Sequence, residues 1–279
     1  MLSASEQDFV AENAYVPEHV PGYVSAISLA EPYLVGDYLC YRSERGIVFI
    51  GYPLNAAFDE AGMAQALSTA ISRSAPESVA VTAPSVSALG ASCRAVENDR
   101  YYRLDLSAQR LNRNVEGMIR RASRELELEH GARIGDEHGR LIAEFLGSRP
   151  LTEETRSIFE RVPAYVSSVS TAAVFSARNR SGDLVAFDVA EFGARDYAFY
   201  QFNFVSRSRY VPGVADLLLH EVVRAARGQG KRYVNLGLGI NEGLTRFKRK
   251  WGAVPFLDYA CCRYRPRRQT LFTALLRKP

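Results

Sequence analysis

Apolar and polar positions alternate along this chain in two rhythms. From Tyr33 to Leu54, "YLVGDYLCYRSERGIVFIGYPL" holds two short aromatic and β-branched runs around "RSERG", the pattern of a hairpin. "DEAGMAQALSTAISRSA" then shifts to helical spacing, with Met63, Leu67 and Ile71 on one side and Asp59 as the cap. "ESVAVTAP" reads as a strand, so the first part is expected to run β-β-α-β. The rest begins with a strand, "YYRLDL", and one helix over 112–129, with Val115, Ile119 and Leu126 on one side. Helices are expected near 138–147 and 152–166, the second capped by Thr152. Three strands, "TAAVFSAR", "LVAFDVAEF" and "YAFYQFNFVS", follow with turn chemistry at "NRSGD" and "GARD". A helix, "VADLLLHEVVRAAR", is ended by Gly228 and Gly230, and a strand, a basic helix and a last strand close the chain.

This pattern predicts a mixed α+β fold in two parts, residues 1–98 and 99–279. The first part repeats the logic of the second in shorter form, which suggests a degenerate internal duplication.

Composition narrows the function. The chain has 279 residues, 47% of them hydrophobic, and a formal net charge of +4, too small to imply DNA binding. "MLSASEQDFVAENAY" lacks a basic start and an apolar stretch, and no apolar run is long enough for a membrane span, so a soluble cytoplasmic protein is expected. Cys40, Cys93, Cys261 and Cys262 show no CxxC spacing and read as reduced thiols. The four histidines lack HxxxH spacing, and no metal site is expected.

The chemistry lies in the last third. Val205-x-Arg207-x-x-Tyr210-x-x-Gly213-x-Ala215 resembles the strand–turn–helix segment V-x-P-x-x-(R/Q)-x-x-G-x-(G/A) of the GNAT acyltransferase superfamily. It departs at the proline and at the (R/Q) position. There, glycine and a small residue let backbone N–H groups approach the pyrophosphate of coenzyme A. Pro212 removes one N–H, while Arg207 and Arg209 supply charge. The segment from Asn241 through Leu244, Phe247 and Lys248 to Gly252 resembles the family's N-x-x-A-x-x-L-Y-x-x-x-G-F, with Lys248 in place of the tyrosine that protonates the leaving thiolate. "GLTRFKRKW" is closer still to the FemAB-like and lysyl-phosphatidylglycerol-synthase-like branches, which are tandem GNAT-like folds.

The resemblance implies an acyltransferase that forms an amide on an amine acceptor. The donor would be a thioester of coenzyme A or carrier-protein phosphopantetheine, or alternatively aminoacyl-tRNA. A binding protein of the same fold without chemistry is the third reading. Lys248 would stabilise an oxyanion or leaving group, Glu191 would act as general base, and Asn241 would orient the helix start. Arg207, Arg209, Gly213 and Ala215 would hold the donor. The stripe of Arg113, Arg120 and Arg124 is either a phosphate track or a solvated face paired with Glu125, Glu127 and Glu129. Gln201 and Asn203 alternate with aromatics and are expected to face one side, with Asp188, in an acceptor pocket. Tyr259 and Tyr264 are substitutes for the missing acid. The basic C-terminus with "LFTALL" fits packing on the domain, a partner, or an anionic membrane surface.

Overall fold

A computed structural model describes residues 1–93 and 96–266. The C-terminal "LFTALL" segment lies outside the described residues. The chain divides into two compact units. One holds Met1–Leu2, Ala30–Asn98 and the described chain from Asp258; the other holds Ser3–Leu29 and Asp99–Leu257. The expected halves, 1–98 and 99–279, therefore exchange their ends.

The chain opens with α1 (Ala4–Asn13) and α2 (Pro21–Ser28), both in the second unit. α1 starts at a capping box, where the Glu6 carboxylate accepts from Ser3 N–H at 2.7 Å and Ser3 Oγ accepts from Glu6 N–H.

The first unit then forms β1 (Glu31–Val35), β2 (Tyr38–Arg42) and β3 (Gly46–Ile50), an antiparallel meander. Its first run is thus two strands rather than one. Gly36, at φ 60°, turns the chain inside "YLVGDYLCYR", where the alternation continues across the turn and hides it. α3 (Glu60–Ser74) is capped by Asp59, whose carboxylate accepts from Gly62 N–H at 2.7 Å, and it buries Met63 and Leu67. β4 (Ser78–Ala83) runs parallel to β3.

The second unit takes up the chain inside β5 (Val96–Asp105). α4 (Arg113–Ala122) is capped by Asn112 and stops early, and the expected long helix continues instead as β6 (Leu126–Gly131). "LELE" alternates with period two, placing Leu126 in the core and Glu127 and Glu129 outside. α5 (Asp136–Gly147) follows, and the next expected helix is broken at Arg161 into α6 (Glu153–Glu160) and α7 (Val162–Ser168), which has Pro163 in its first turn. The meander is β7 (Ala172–Asn179), β8 (Leu184–Glu191) and β9 (Tyr197–Val205). α8 (Val214–Gly228), β10 (Tyr233–Leu238), α9 (Glu242–Lys250) and β11 (Val254–Tyr264) complete the described chain.

The two units share a plan. β1-β2-β3-α3-β4 and β7-β8-β9-α8-β10 are each a three-stranded meander, a helix and a strand returning parallel to the last. β4 is paired on its other side by Ala260–Tyr264 of β11, and β10 by β5, both antiparallel. The strand after each repeat thus completes the sheet of the other unit.

In the second unit α4 and α8 cover one face, over Val185, Ala190, Ala198 and Val234. α5, α6 and α7 cover the opposite face, over Phe187, Val189, Phe202 and Phe204. In the first unit Cys93 and Cys262 form a disulfide, with Cα atoms 5.6 Å apart, which corrects the expectation of four thiols. Spacing along the sequence could not show it, because 169 residues separate the two. Cys262 points into the α3 core while Cys261 faces away, as alternation requires.

Candidate active site

β9 and β10 part company at one end. Tyr233, Val234 and Asn235 pair with Tyr197, Ala198 and Phe199, and the pairing stops there, although β9 runs to Val205 and β10 to Leu238. Both strands carry a local cause. On β9, Ala190 faces Tyr200 and Val189 faces Phe202, so Gln201 is the extra residue of a β-bulge. On β10, the register breaks between Asn235 and Leu238, and Gly237 sits at φ 73° with its N–H donating to Asn235 Oδ1 at 2.8 Å. The result is a wedge between the strands. The matching pair of the first unit, β3 and β4, stays closed over all five residues from Gly46 to Ile50.

Lys248 serves the opened end of β10. It lies on α9, is 5% exposed, and its Nζ donates to the Leu238 carbonyl oxygen. The ring of Tyr102 lies 5.9 Å from the ammonium. Burial lowers the lysine to about 8, against the pull of the Asp99 charge, which favours the protonated form. Asn241 caps α9, its Oδ1 accepting from Leu244 N–H at 3.0 Å, which fixes the rotation that turns Lys248 inward. Trp251 is fully buried, and its Nε1 donates to Asp216 on α8 at 2.8 Å; Lys250 joins the same carboxylate. Phe247 packs on the same core, so α9 is held from its far end as well.

The bulge rearranges the expected acceptor pocket. Gln201 and Asn203 do not share a face; Tyr200 and Asn203 do, because the extra residue shifts the alternation by one. Asp188 is fully buried, and its Oδ1 accepts from Asn203 Nδ2 at 2.6 Å. The Tyr200 hydroxyl faces the same carboxylate and feels its charge. Burial pushes Asp188 up to about 7, and the Asn203 and Tyr200 side chains oppose that rise. Gln201 Nε2 is buried without a partner.

Glu191 is not brought to Lys248. It is fully buried at the end of β8, where one carboxylate oxygen accepts from the Tyr165 hydroxyl at 2.8 Å and the other from Gly193 N–H at 2.9 Å. Tyr165 belongs to the α5–α7 face, whereas Lys248 lies against Tyr102 on the α4–α8 face. The Tyr165 hydrogen bond ties α7 to β8.

At the start of α8, Gly213 is the N-cap, at φ 89°. A Cβ there would lie 2.6 Å from the Met118 carbonyl oxygen of α4, so glycine is required by helix packing. Pro212 precedes the cap and removes no first-turn donor. Ala215 is part-buried in that turn, beside the buried Asp216. Arg207 and Arg209 are exposed, and the Glu144 carboxylate accepts from Arg207 N–H at 2.7 Å, anchoring their loop to α5. Arg120 is exposed on α4, 4.0 Å from Glu116. Arg124 lies beyond the end of α4 and leaves the helical stripe, and Glu129 pairs with Arg178 instead. Tyr264 packs into the first unit, as part of the sheet that holds β4.

Sequence reasoning passed over Asp99, Tyr200 and Asp216. Asp99 carried no signal, and the other two lie in apolar runs where a polar residue was the only hint. Among the described residues no cluster of His, Cys, Asp and Glu could hold a metal, and no helix is long and apolar enough to cross a membrane.

No protein-family profile and no curated protein matches the chain. Solved structures do. A tandem GNAT protein from the clavulanic acid biosynthesis pathway covers 93% of this chain and 93% of its own, at TM-score 0.54 and 13% identity. The chain has a tandem GNAT-like fold. FemX matches the same fold over 99% of this chain and 98% of its own, at TM-score 0.65 and 12% identity. L-PGS from Bacillus licheniformis matches over 98% and 95%, at TM-score 0.62 and 14% identity. These neighbours are of the branches that the motifs resembled. Of the two parallel strand pairs in this tandem GNAT-like fold, the second unit's is the one that opens.

Proposed function

We propose that the second unit is an acyltransferase centre that forms an amide at the wedge between β9 and β10. One observation carries the reading. A buried lysine places its ammonium on the carbonyl of Leu238, the last residue of β10, three residues beyond the end of its pairing with β9. An acyl carbon lodged in the wedge would be attacked by the acceptor's neutral amine. An ammonium has three N–H donors, and Leu238 takes one. The others would meet the developing oxyanion and protonate the leaving group as its bond to the acyl carbon breaks, and the lysine would regain its proton from the nitrogen of the new C–N bond.

Thioester donors, coenzyme A or a carrier-protein phosphopantetheine, are the first reading. With Pro212 outside α8, the first-turn amides beyond Gly213 are intact, and Arg207 and Arg209 add exposed positive charge before them. Aminoacyl-tRNA is the second reading. It is favoured by the near-complete overlap with FemX and L-PGS, at higher TM-scores than the tandem GNAT protein of the clavulanic acid pathway.

The first unit is proposed to be a degenerate copy without a centre. Its strand pair is closed, and the Asp59 carboxylate already occupies the start of α3, accepting from Gly62 N–H at 2.7 Å.

The test is to supply acyl-coenzyme A, acyl-carrier and charged-tRNA pools with mixed amines and follow amide formation by mass spectrometry. The reading expects turnover from one donor class and none with Lys248→Met. Full activity in Lys248→Met would remove the lysine from the mechanism. Salt-sensitive tRNA binding with no thioester turnover would select the second donor.

A further inference from the structure

α9 begins from a turn that strains the backbone. Ile240 is β-branched and 71% exposed, yet it adopts φ 60°, a region such residues avoid. Gly239 beside it has no room for a side chain, since a Cβ would lie 2.7 Å from Asp99 Oδ1. Asp99, on β5, holds both residues. Its Oδ2 accepts from Ile240 N–H at 2.7 Å and its Oδ1 from Gly239 N–H at 3.1 Å, a donor shared with the Arg100 carbonyl oxygen. Asn241 N–H closes the turn onto the Gly239 carbonyl at 2.6 Å. The residue just before the clasped pair is Leu238, whose carbonyl receives the Lys248 ammonium.

We propose that Asp99 is a positioning residue for Lys248: by clasping the Gly239 and Ile240 amides, it sets the direction of the Leu238 carbonyl and so the place of the ammonium. This rests on the reading of Lys248 as the working cation.

Asp99 acts on the lysine in a second way, through its charge. Its carboxylate favours the ammonium, while burial among Tyr102 and the surrounding core disfavours it. The neighbouring Lys250 is engaged by Asp216, which leaves Asp99 as the carboxylate that steadies Lys248. A neutral side chain at residue 99 would thus loosen the turn and release the proton of Lys248 more readily.

The experiment compares Asp99→Asn, Asp99→Glu and Ile240→Gly in the full chain. Two readouts need no substrate: hydrogen exchange at the Gly239 and Ile240 amides, and the NMR titration of Lys248 Nζ. In Asp99→Asn, exchange of the Ile240 amide should speed up, with a smaller change at Gly239, whose N–H keeps the Arg100 carbonyl, and the lysine should titrate about one pH unit lower, a tenfold change in the ratio of ammonium to amine. Asp99→Glu should restore the titration, because it returns the charge. Ile240→Gly should raise stability, since glycine tolerates the turn, and leave the titration in place because the clasp is intact. An unchanged lysine titration and unchanged exchange in Asp99→Asn would overturn the proposal. Failure of the acyltransferase reading is seen separately, as full turnover by Lys248→Met, and leaves these two readouts standing.

Discussion

The Lys248 ammonium and the Leu238 carbonyl are ten residues apart in sequence and in direct hydrogen bond across the turn that opens α9. The contact explains why a lysine is tolerated inside the fold. An ammonium there caps a strand end that has lost its neighbour, and a buried carbonyl left unpaired would be costly.

Lys248 carries a stability signature of its own. Its folded value of about 8 lies below the ordinary 10.5, so between those limits the unfolded chain binds more protons. Stability should therefore rise with pH from about 8 to about 10.5. Lys248→Met should remove that rise, while transfer is lost. Urea titrations at several pH values check the first outcome. Activity that depends on the ammonium should fall as pH passes about 8.

Asp188 predicts the opposite slope. Its folded value of about 7 lies above the ordinary 3.8, so the native state holds the extra proton in that window and stability falls as pH rises through it. Asp188→Asn can still accept from Asn203. It should flatten the slope and be more stable at pH 8 by about 3 kcal/mol. Parallel unfolding curves for the two proteins across pH 4–8 would refute the assignment.

Glu191→Gln tests whether the buried carboxylate is a base. An amide oxygen can still accept from Tyr165, so transfer should persist within about threefold of the parent. Glu191→Ala strands the Tyr165 hydroxyl and should cost about 2–3 kcal/mol in stability. A loss of kcat in Glu191→Gln without loss of stability would return Glu191 to the chemistry.

Gly213→Ala meets both a positive φ and the Met118 carbonyl. It should destabilise the chain by at least about 2 kcal/mol, measured in urea, whether or not donor is present. A variant that folds with parental stability and loses only donor affinity would show that the glycine serves the ligand instead.

Local rules made much of this fold legible. Asp59 and Thr152 are caps in both the sequence and the structure, because a short polar side chain before an amphipathic run has one obvious use. The β7–β9 meander was legible from alternation and turn residues. The tandem GNAT-like fold was legible from the Lys248 segment. Features that depend on distant partners were not. Gln201 reads as one step of an alternation, and the pairing to β8 alone reveals it as a bulge. Arg-rich spacing extended α4 past Ala122, where the sheet claimed Leu126 and Leu128 through pairing with β7. Glu191 faces Tyr165 because of α7, and Cys93 meets Cys262 across most of the chain.

The exchange of strands between the repeats has a consequence for synthesis. β4 is made early, yet its antiparallel partner, Ala260–Tyr264, is among the last described residues to leave the ribosome. β10, by contrast, finds β5 already waiting. The second unit can therefore close its sheet while the first still has an open edge. A nascent chain that has emerged from the ribosome only as far as Leu257 should display a folded second unit and a protease-sensitive first one.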